Sequence, residues 1–182
     1  AVIGMWNGDF QKTLGVNIEI KTFLFNAGPS AIEALLAKQV DVAYIGPNPA
    51  INGYVVSEGK SLKIIAGVSS GGAIFVVRND SGINSVQDFA GKKFASPQLG
   101  NTQDVALRNY LLDNGYKTKD KGGNVEILPV KNPDILTLLL KKEIDGAWVP
   151  EPWGEKLIKE GNSRLFLDER TLWPDGKFVT AN

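Results

Sequence analysis

At 182 residues and 19.7 kDa, the chain is long enough for one ordinary domain or two small lobes around a buried core. Apolar residues make up 43% and charged residues 22%, and twenty Lys plus Arg cancel twenty Asp plus Glu, so no positive excess exists to favour nucleic acid as a partner. Cysteine and histidine are both absent, which excludes a disulfide, a thiolate metal site, an imidazole base and a Ser-His-Asp triad.

No apolar run approaches the roughly 20 residues of a membrane-spanning helix. The first ten residues read as the tail of a helix stopped at Gly8-Asp9. Residues 16–25 (VNIEIKTFLF) are rich in β-branched and aromatic side chains and predict a strand. Asn26-Ala27-Gly28-Pro29-Ser30 is a turn, with Pro29 placed to open the helix AIEALLAK. Residues 40–45 (VDVAYI) predict a second strand, broken by Gly46-Pro47-Asn48-Pro49, and a helix begins at Ala50. Residues 62–68 (LKIIAGV) form a continuous apolar run of the kind found in buried parallel strands.

Ser69-Ser70-Gly71-Gly72 interrupts the pattern before the strand AIFVVR. Only thirteen of the 40 charged residues lie in the first 91 positions. The second half reads as strand KKFAS, loop PQLGN, helix TQDVALRNYLLDN stopped by Gly115, strand VEILPV, helix NPDILTLLLKK, strand IDGAWV, loop PEPW and helix GEKLIKE. This alternation predicts an α/β fold with mainly parallel sheets.

One self-similarity sharpens that expectation. Residues 29–41 align without a gap on residues 133–145: each copy opens with proline, carries two leucines and a lysine at matching positions, and ends on Asp41 or Asp145 before a strand. Proline-rich loops follow both strands. Two readings are open at this level: a generic helix-strand unit used twice, or two similar lobes that each offer loops from the carboxyl end of a sheet to a shared cleft.

The blocks FNAGPSAIEAL, VDVAYIGPNPAI, KIIAGVSSGGAIFVV, VQDFAGKKFASPQLGNTQDVALRNYL and IDGAWVPEPW occur in an order that resembles the substrate-binding proteins of ABC importers in the nitrate/sulfonate/taurine group, which also includes bicarbonate and thiamine-precursor binders. The resemblance implies a type II periplasmic-binding-protein fold with two similar lobes around a ligand cleft. Residues 1–74 with 176–182 would form the first lobe and 75–175 the second. Family members carry further segments at both ends, so the first lobe is expected to be incomplete and rich in exposed apolar surface. The implied function is an extracytoplasmic receptor, not an enzyme and without a cofactor. It would pass a small anion or zwitterion to an ABC permease in the membrane, with no nucleic acid as partner. The alternatives are a binding or synthesising protein for a thiamine pyrimidine precursor, and a sensor domain of the same fold.

The candidate ligand contacts follow the loops. Gln98, Gly100, Asn101 and Thr102 lead from a strand into a helix whose free N–H groups would face an anion, with Asp104 suited to the first turn. Asn26, Gly28 and Ser30 form the equivalent turn in the first lobe. Gly46 and Asn48 belong to a rigid rim. Ser69 and Ser70 offer hydroxyls or serve as the crossing between lobes. Glu151 is read either as a carboxylate for a ligand amine or as a solvated or inter-lobe group, and Trp153 as a packing surface for an apolar or cationic part. Trp148, inside a strand, is expected in the core. No Lys or Arg occurs in the loops NAGPS, GPNP, SSGG, QLGNT and PEPW, which favours a single negative charge over a dianion.

Overall fold

The computed structural model describes residues 2–177. Seven α-helices are found among them: α1 (Val2–Trp6), α2 (Asp9–Leu14), α3 (Gly28–Leu36), α4 (Pro47–Val56), α5 (Thr102–Asp113), α6 (Asn132–Leu140) and α7 (Trp153–Glu160). Five strands, β1 (Ala73–Arg78), β2 (Lys93–Ser96), β3 (Glu126–Pro129), β4 (Gly146–Pro150) and β5 (Ser163–Asp168), form one sheet in the order β3-β2-β4-β1-β5. β2 runs parallel to β3 and β4, whereas β1 is antiparallel to both β4 and β5. The sheet is therefore mixed, and the expectation of mainly parallel pairing is corrected.

Side-chain alternation divides the core between the two faces. Phe75, Val77, Phe94 and Trp148 gather on one face with Phe89, Val125 and the α5 residues Leu107 and Leu111. Val76, Ala95, Ala147 and Val149 gather on the other with Ile135 and Leu139 of α6 and Leu157 of α7. The first cluster is aromatic: Phe75 stacks on Trp148 at 5.3 Å and meets Phe94 edge-on at 5.1 Å.

Trp148 is fully buried, as its place in a strand suggested, and its Nε1–H donates to Glu169 Oε2 at 2.7 Å. Glu169 is itself only 2% exposed. Burial pushes its carboxyl above the usual range, against the lowering by the Trp148 and Trp173 indoles. Folded protein then holds a proton that unfolded chain has released, over the interval from the ordinary glutamate pKa near 4.5 to the raised value. Stability from this group is present below that interval and is lost as pH rises through it. Urea unfolding of Glu169→Gln against the parent chain should show a stability difference that grows in favour of the variant as pH rises from about 4.5; a difference independent of pH would refute this.

The internal repeat is a conformational equivalence. α3 and α6 begin and end at matching repeat positions, and each is followed by a lysine in the left-handed region, Lys38 (φ 57) and Lys142 (φ 60). Lys38 N–H bonds Leu35 O and Gln39 N–H bonds Ala34 O; Lys142 and Glu143 repeat the pattern onto Leu139 and Leu138. Both helices end in the same tight reversal.

The first copy nevertheless builds no strand after its helix. Residues 16–25, 40–45 and 62–68, all expected as strands, lie outside any strand, and Leu24 (100% exposed) and Ile65 (81%) face solvent. Their composition suits strands, but extended chain without a hydrogen-bonded neighbour is not a sheet. β4, the second copy's counterpart, is flanked by β2 and β1. Around α3 and α4, the buried apolar side chains are the small set Ala31, Ile32, Ala34, Pro49 and Ala50.

Two boundary expectations also change. Gly8-Asp9 does separate two elements, but Asp9 opens α2 rather than leaving helix behind. α4 starts at Pro47, inside the GPNP motif expected to break it. Prolines at the first and third helical positions are tolerated because those N–H groups have no intrahelical acceptor. The expected return of the chain from Phe178 onward lies outside the described residues.

Candidate functional site

The N-termini of α3, α4 and α5 meet at one place. Asn26 Nδ2 donates to Pro97 O at 3.0 Å, tying the turn before α3 to the end of β2. Gln98 Nε2 donates to Ser30 Oγ at 3.1 Å. Gly46, the N-cap residue of α4, is buried against Thr102 at the start of α5, so close that a Cβ there would overlap Thr102 Oγ1. Gly28 packs on Pro49, where an added Cβ would lie 2.5 Å from the proline Cγ. Both glycines are required by close approach of neighbouring elements; Gly46 has an ordinary extended φ of −68°.

Each helix start contributes differently. In α3 the first three positions are Gly28, Pro29 and Ser30, so Gly28 and Ser30 carry N–H groups. In α4 the prolines at 47 and 49 leave only Asn48 with a donor. In α5 the cap is Asn101, whose Oδ1 accepts from Asp104 N at 2.8 Å.

The expectation of free N–H groups at Gly100 and Asn101 is corrected. Gly100 N–H donates to Asp104 Oδ2 at 3.0 Å, and Asn101 N–H donates to Gln98 O at 3.1 Å. These bonds close the loop on itself, as buried backbone groups require. Among the described residues, the N–H groups of Thr102 and Gln103 keep no protein acceptor. The donors at this junction are thus Gly28, Ser30, Asn48, Thr102 and Gln103, all neutral, and each helix adds the positive end of its dipole.

The structure brings Asn26, Gly28, Ser30, Gly46, Asn48, Gln98 and Thr102 together. Ser69 and Ser70 are exposed in the segment leading into β1. Glu151 lies at the end of β4, whose parallel neighbour β2 ends at the junction, so both open at the same sheet edge. Its Oε2 accepts from Glu155 N at 3.0 Å, capping α7. Trp153 starts α7, and Lys156 Nζ lies over its ring at 5.2 Å. Pro152, Trp153, Lys156 and Lys159 line a surface recess of about 410 Å³ around that helix. Asp145 serves the scaffold, accepting from Lys93 N at 2.9 Å and pairing with Arg78.

Two features escaped sequence reasoning. The first is the third helix start, because the paired prolines looked like a break. The second is Asn132 at the start of α6, whose buried Oδ1 has no hydrogen-bond partner among the described residues. Its only sequence signal is its place before Pro133 at the head of the repeated helix.

The mixed sheet covered by helices on both faces has the fold of periplasmic binding proteins of the two-lobe type, as superposition on solved structures shows. The chain belongs to the NMT1-like family, whose model matches residues 1–179. An alkanesulfonate-binding protein SsuA from Xanthomonas axonopodis pv. citri, solved bound to MOPS, superposes with a TM-score of 0.81 over 97% of this chain and 59% of its own, at 21% identity. The periplasmic aliphatic sulphonate binding protein SsuA from Escherichia coli gives 0.74 over 99% of this chain and 60% of its own, at 22% identity. In sequence, the chain is 31% identical over 135 residues to a protein of Brucella abortus named as a binding protein, covering 73% of this chain and 39% of the other. It is 24% identical over 176 residues to the taurine-binding periplasmic protein of Escherichia coli, covering 95% of this chain and 51% of that one. The chain thus spans about half or less of the length of these curated relatives.

Proposed function

We propose that this chain is the ligand-capturing part of an extracytoplasmic solute receptor. It takes up a small monoanion or zwitterion, of the sulfonate, taurine or nitrate kind, and delivers it to an ABC permease. The observation that carries this reading is the junction of α3, α4 and α5, where three helix starts with neutral N–H donors are in contact. In this reading the residues up to 74 act as one lobe and 75–175 as the other, with the ligand between them; the part of the division that falls on 178–182 lies outside the described residues.

The anion lies against the N–H groups of Thr102, Gln103, Gly28 and Ser30, with the amides of Asn26, Asn48 and Gln98 around it. A ligand amine extends toward Glu151, and an apolar part toward Trp153. The relatives named as binding proteins support capture over catalysis, and the absence of histidine and cysteine agrees with it. Among the described residues no helix is long and apolar enough to cross a membrane.

A thermal-shift series with nitrate, bicarbonate, taurine, alkanesulfonates and pyrimidine precursors tests the reading, since a ligand that binds only folded protein raises its Tm by mass action. Taurine or an alkanesulfonate should give the largest rise. Thr102→Pro removes one N–H at a helix position that accepts proline. It should weaken binding about tenfold, in keeping with one hydrogen bond to a charged group. An unchanged Tm with every anion would defeat the proposal, and a pyrimidine precursor giving the largest rise would replace the ligand class.

A further inference from the structure

Asp104 lies in the first turn of α5 and is 1% exposed. Its carboxylate is held from three directions. Oδ1 accepts from Ser96 Oγ at 2.7 Å, and Oδ2 accepts from Gly100 N at 3.0 Å and from Arg108 Nε at 2.9 Å. Arg108, one turn further along the helix, also reaches Asp120 Oδ2 at 3.3 Å. One guanidinium therefore answers two carboxylates, and Asp104 Oδ2 is shared between the Arg108 cation and the Gly100 N–H, close in the chain to the unoccupied N–H groups of Thr102 and Gln103.

This placement does two things to an anion at the junction. It removes Gly100 N–H from the donors available to a ligand. It also fixes a buried negative charge in the first turn of α5, beside the donors Thr102 and Gln103, where water screens it weakly. Helix starts carry about half a unit of positive charge each, so the three together exceed one ligand charge and fall short of two, and the Asp104 carboxylate tips that balance toward one. The loops NAGPS, GPNP, SSGG, QLGNT and PEPW add no Lys or Arg, and the one cation paired with Asp104, Arg108, is shared with Asp120.

We infer that Asp104 sets the charge selectivity of the junction: its buried carboxylate, locked to Ser96 and Gly100, admits a monoanionic group and disfavours a dianion. The inference rests on the reading of the junction as an anion site and deepens it. Asp104 acts through the loop and the local field, so it is a positioning residue.

Methanesulfonate and sulfate are suitable probes, since both are tetrahedral sulfur oxyanions of similar size that differ by one charge. Isothermal titration of the parent chain should favour methanesulfonate. In Asp104→Asn the ratio of the two dissociation constants should move toward sulfate by at least tenfold. Ser96→Ala, which removes a hydrogen bond and no charge, should leave the ratio within about twofold while weakening both ligands. Arg108→Gln provides an independent arm should Asp104→Asn fail to fold: losing the counter-cation should disfavour sulfate by a further threefold or more. A merely structural Asp104 would weaken both probes equally, and an unchanged ratio in either charge variant overturns the inference while leaving the anion site standing. A parent chain that binds neither methanesulfonate nor taurine overturns the anion site, and the selectivity role falls with it.

Discussion

Replacing Phe75 with alanine should lower the unfolding free energy by about 3–5 kcal/mol, the range for large-to-small changes at closed core positions. Phe75 has no solvent exposure and sits at the centre of the aromatic face of the sheet. Its ring contacts Phe89 at 5.7 Å, Phe94 at 5.1 Å, Trp148 at 5.3 Å and Phe166 at 5.4 Å. These neighbours come from β2, β4, β5 and the turn before β2, so no single element can move in to fill the void. Each favourable aromatic pair adds about 0.5–1.5 kcal/mol beyond area burial, which places the change toward the upper end of the range. Urea unfolding followed by tryptophan fluorescence reads the effect. A loss below about 1.5 kcal/mol would mean that the cluster relaxes around the cavity and is not a close-packed core.

Gly46→Val should abolish detectable binding of taurine and alkanesulfonates while leaving the helical circular dichroism close to that of the parent. The backbone at Gly46 suits any residue, so the effect comes from contact alone. A single Cβ already meets Thr102 Oγ1, and Pro49 Cδ lies 3.7 Å from the same point. The two further methyl groups of valine cannot be absorbed by one rotation of Thr102, so the start of α4 must move off the start of α5. Shifts of about 1 Å are enough to spoil a site built from convergent hydrogen bonds. The sheet core does not include Gly46, so the fold should persist. The milder Gly46→Ala change combined with Thr102→Ala should recover much of the affinity lost by Gly46→Ala alone. Near-parental binding by Gly46→Val would separate the α4–α5 contact from ligand capture.

Much of this architecture was legible in the chain itself, and the places where it was not have physical causes. Helices α3, α5 and α6 carried clear start signals, α3 an apolar face as well, and the repeat matched even the left-handed lysines that close α3 and α6. Strand direction, by contrast, leaves no trace in residue alternation, so β1 gave no warning that it runs antiparallel to β4. β5 was overlooked because its register slips opposite Phe75 and Val76, leaving Phe166 as an extra residue that breaks the period of two. The segments 16–25, 40–45 and 62–68 show the opposite error: strand-like residues express themselves as strands only where a partner supplies the ladder.

The site divides along the same line. Loops rich in Gly, Asn and Ser, followed by helices, pointed to the right stretches of chain, and three pairwise contacts then joined residues some 55 to 70 positions apart. Which N–H groups stay unoccupied was invisible in the sequence. That depends on Asp104 folding back onto Gly100, and an acidic residue in a first helical turn reads only as a favourable dipole partner.

The central claim, that neutral donors at the α3, α4 and α5 starts select a small singly charged anion, is tested most directly by isothermal titration of the chain with taurine, an alkanesulfonate, nitrate and inorganic phosphate at one pH and ionic strength. The account predicts that taurine or the alkanesulfonate binds most tightly and phosphate at least tenfold more weakly. Phosphate binding more tightly than the sulfonates and nitrate would contradict it.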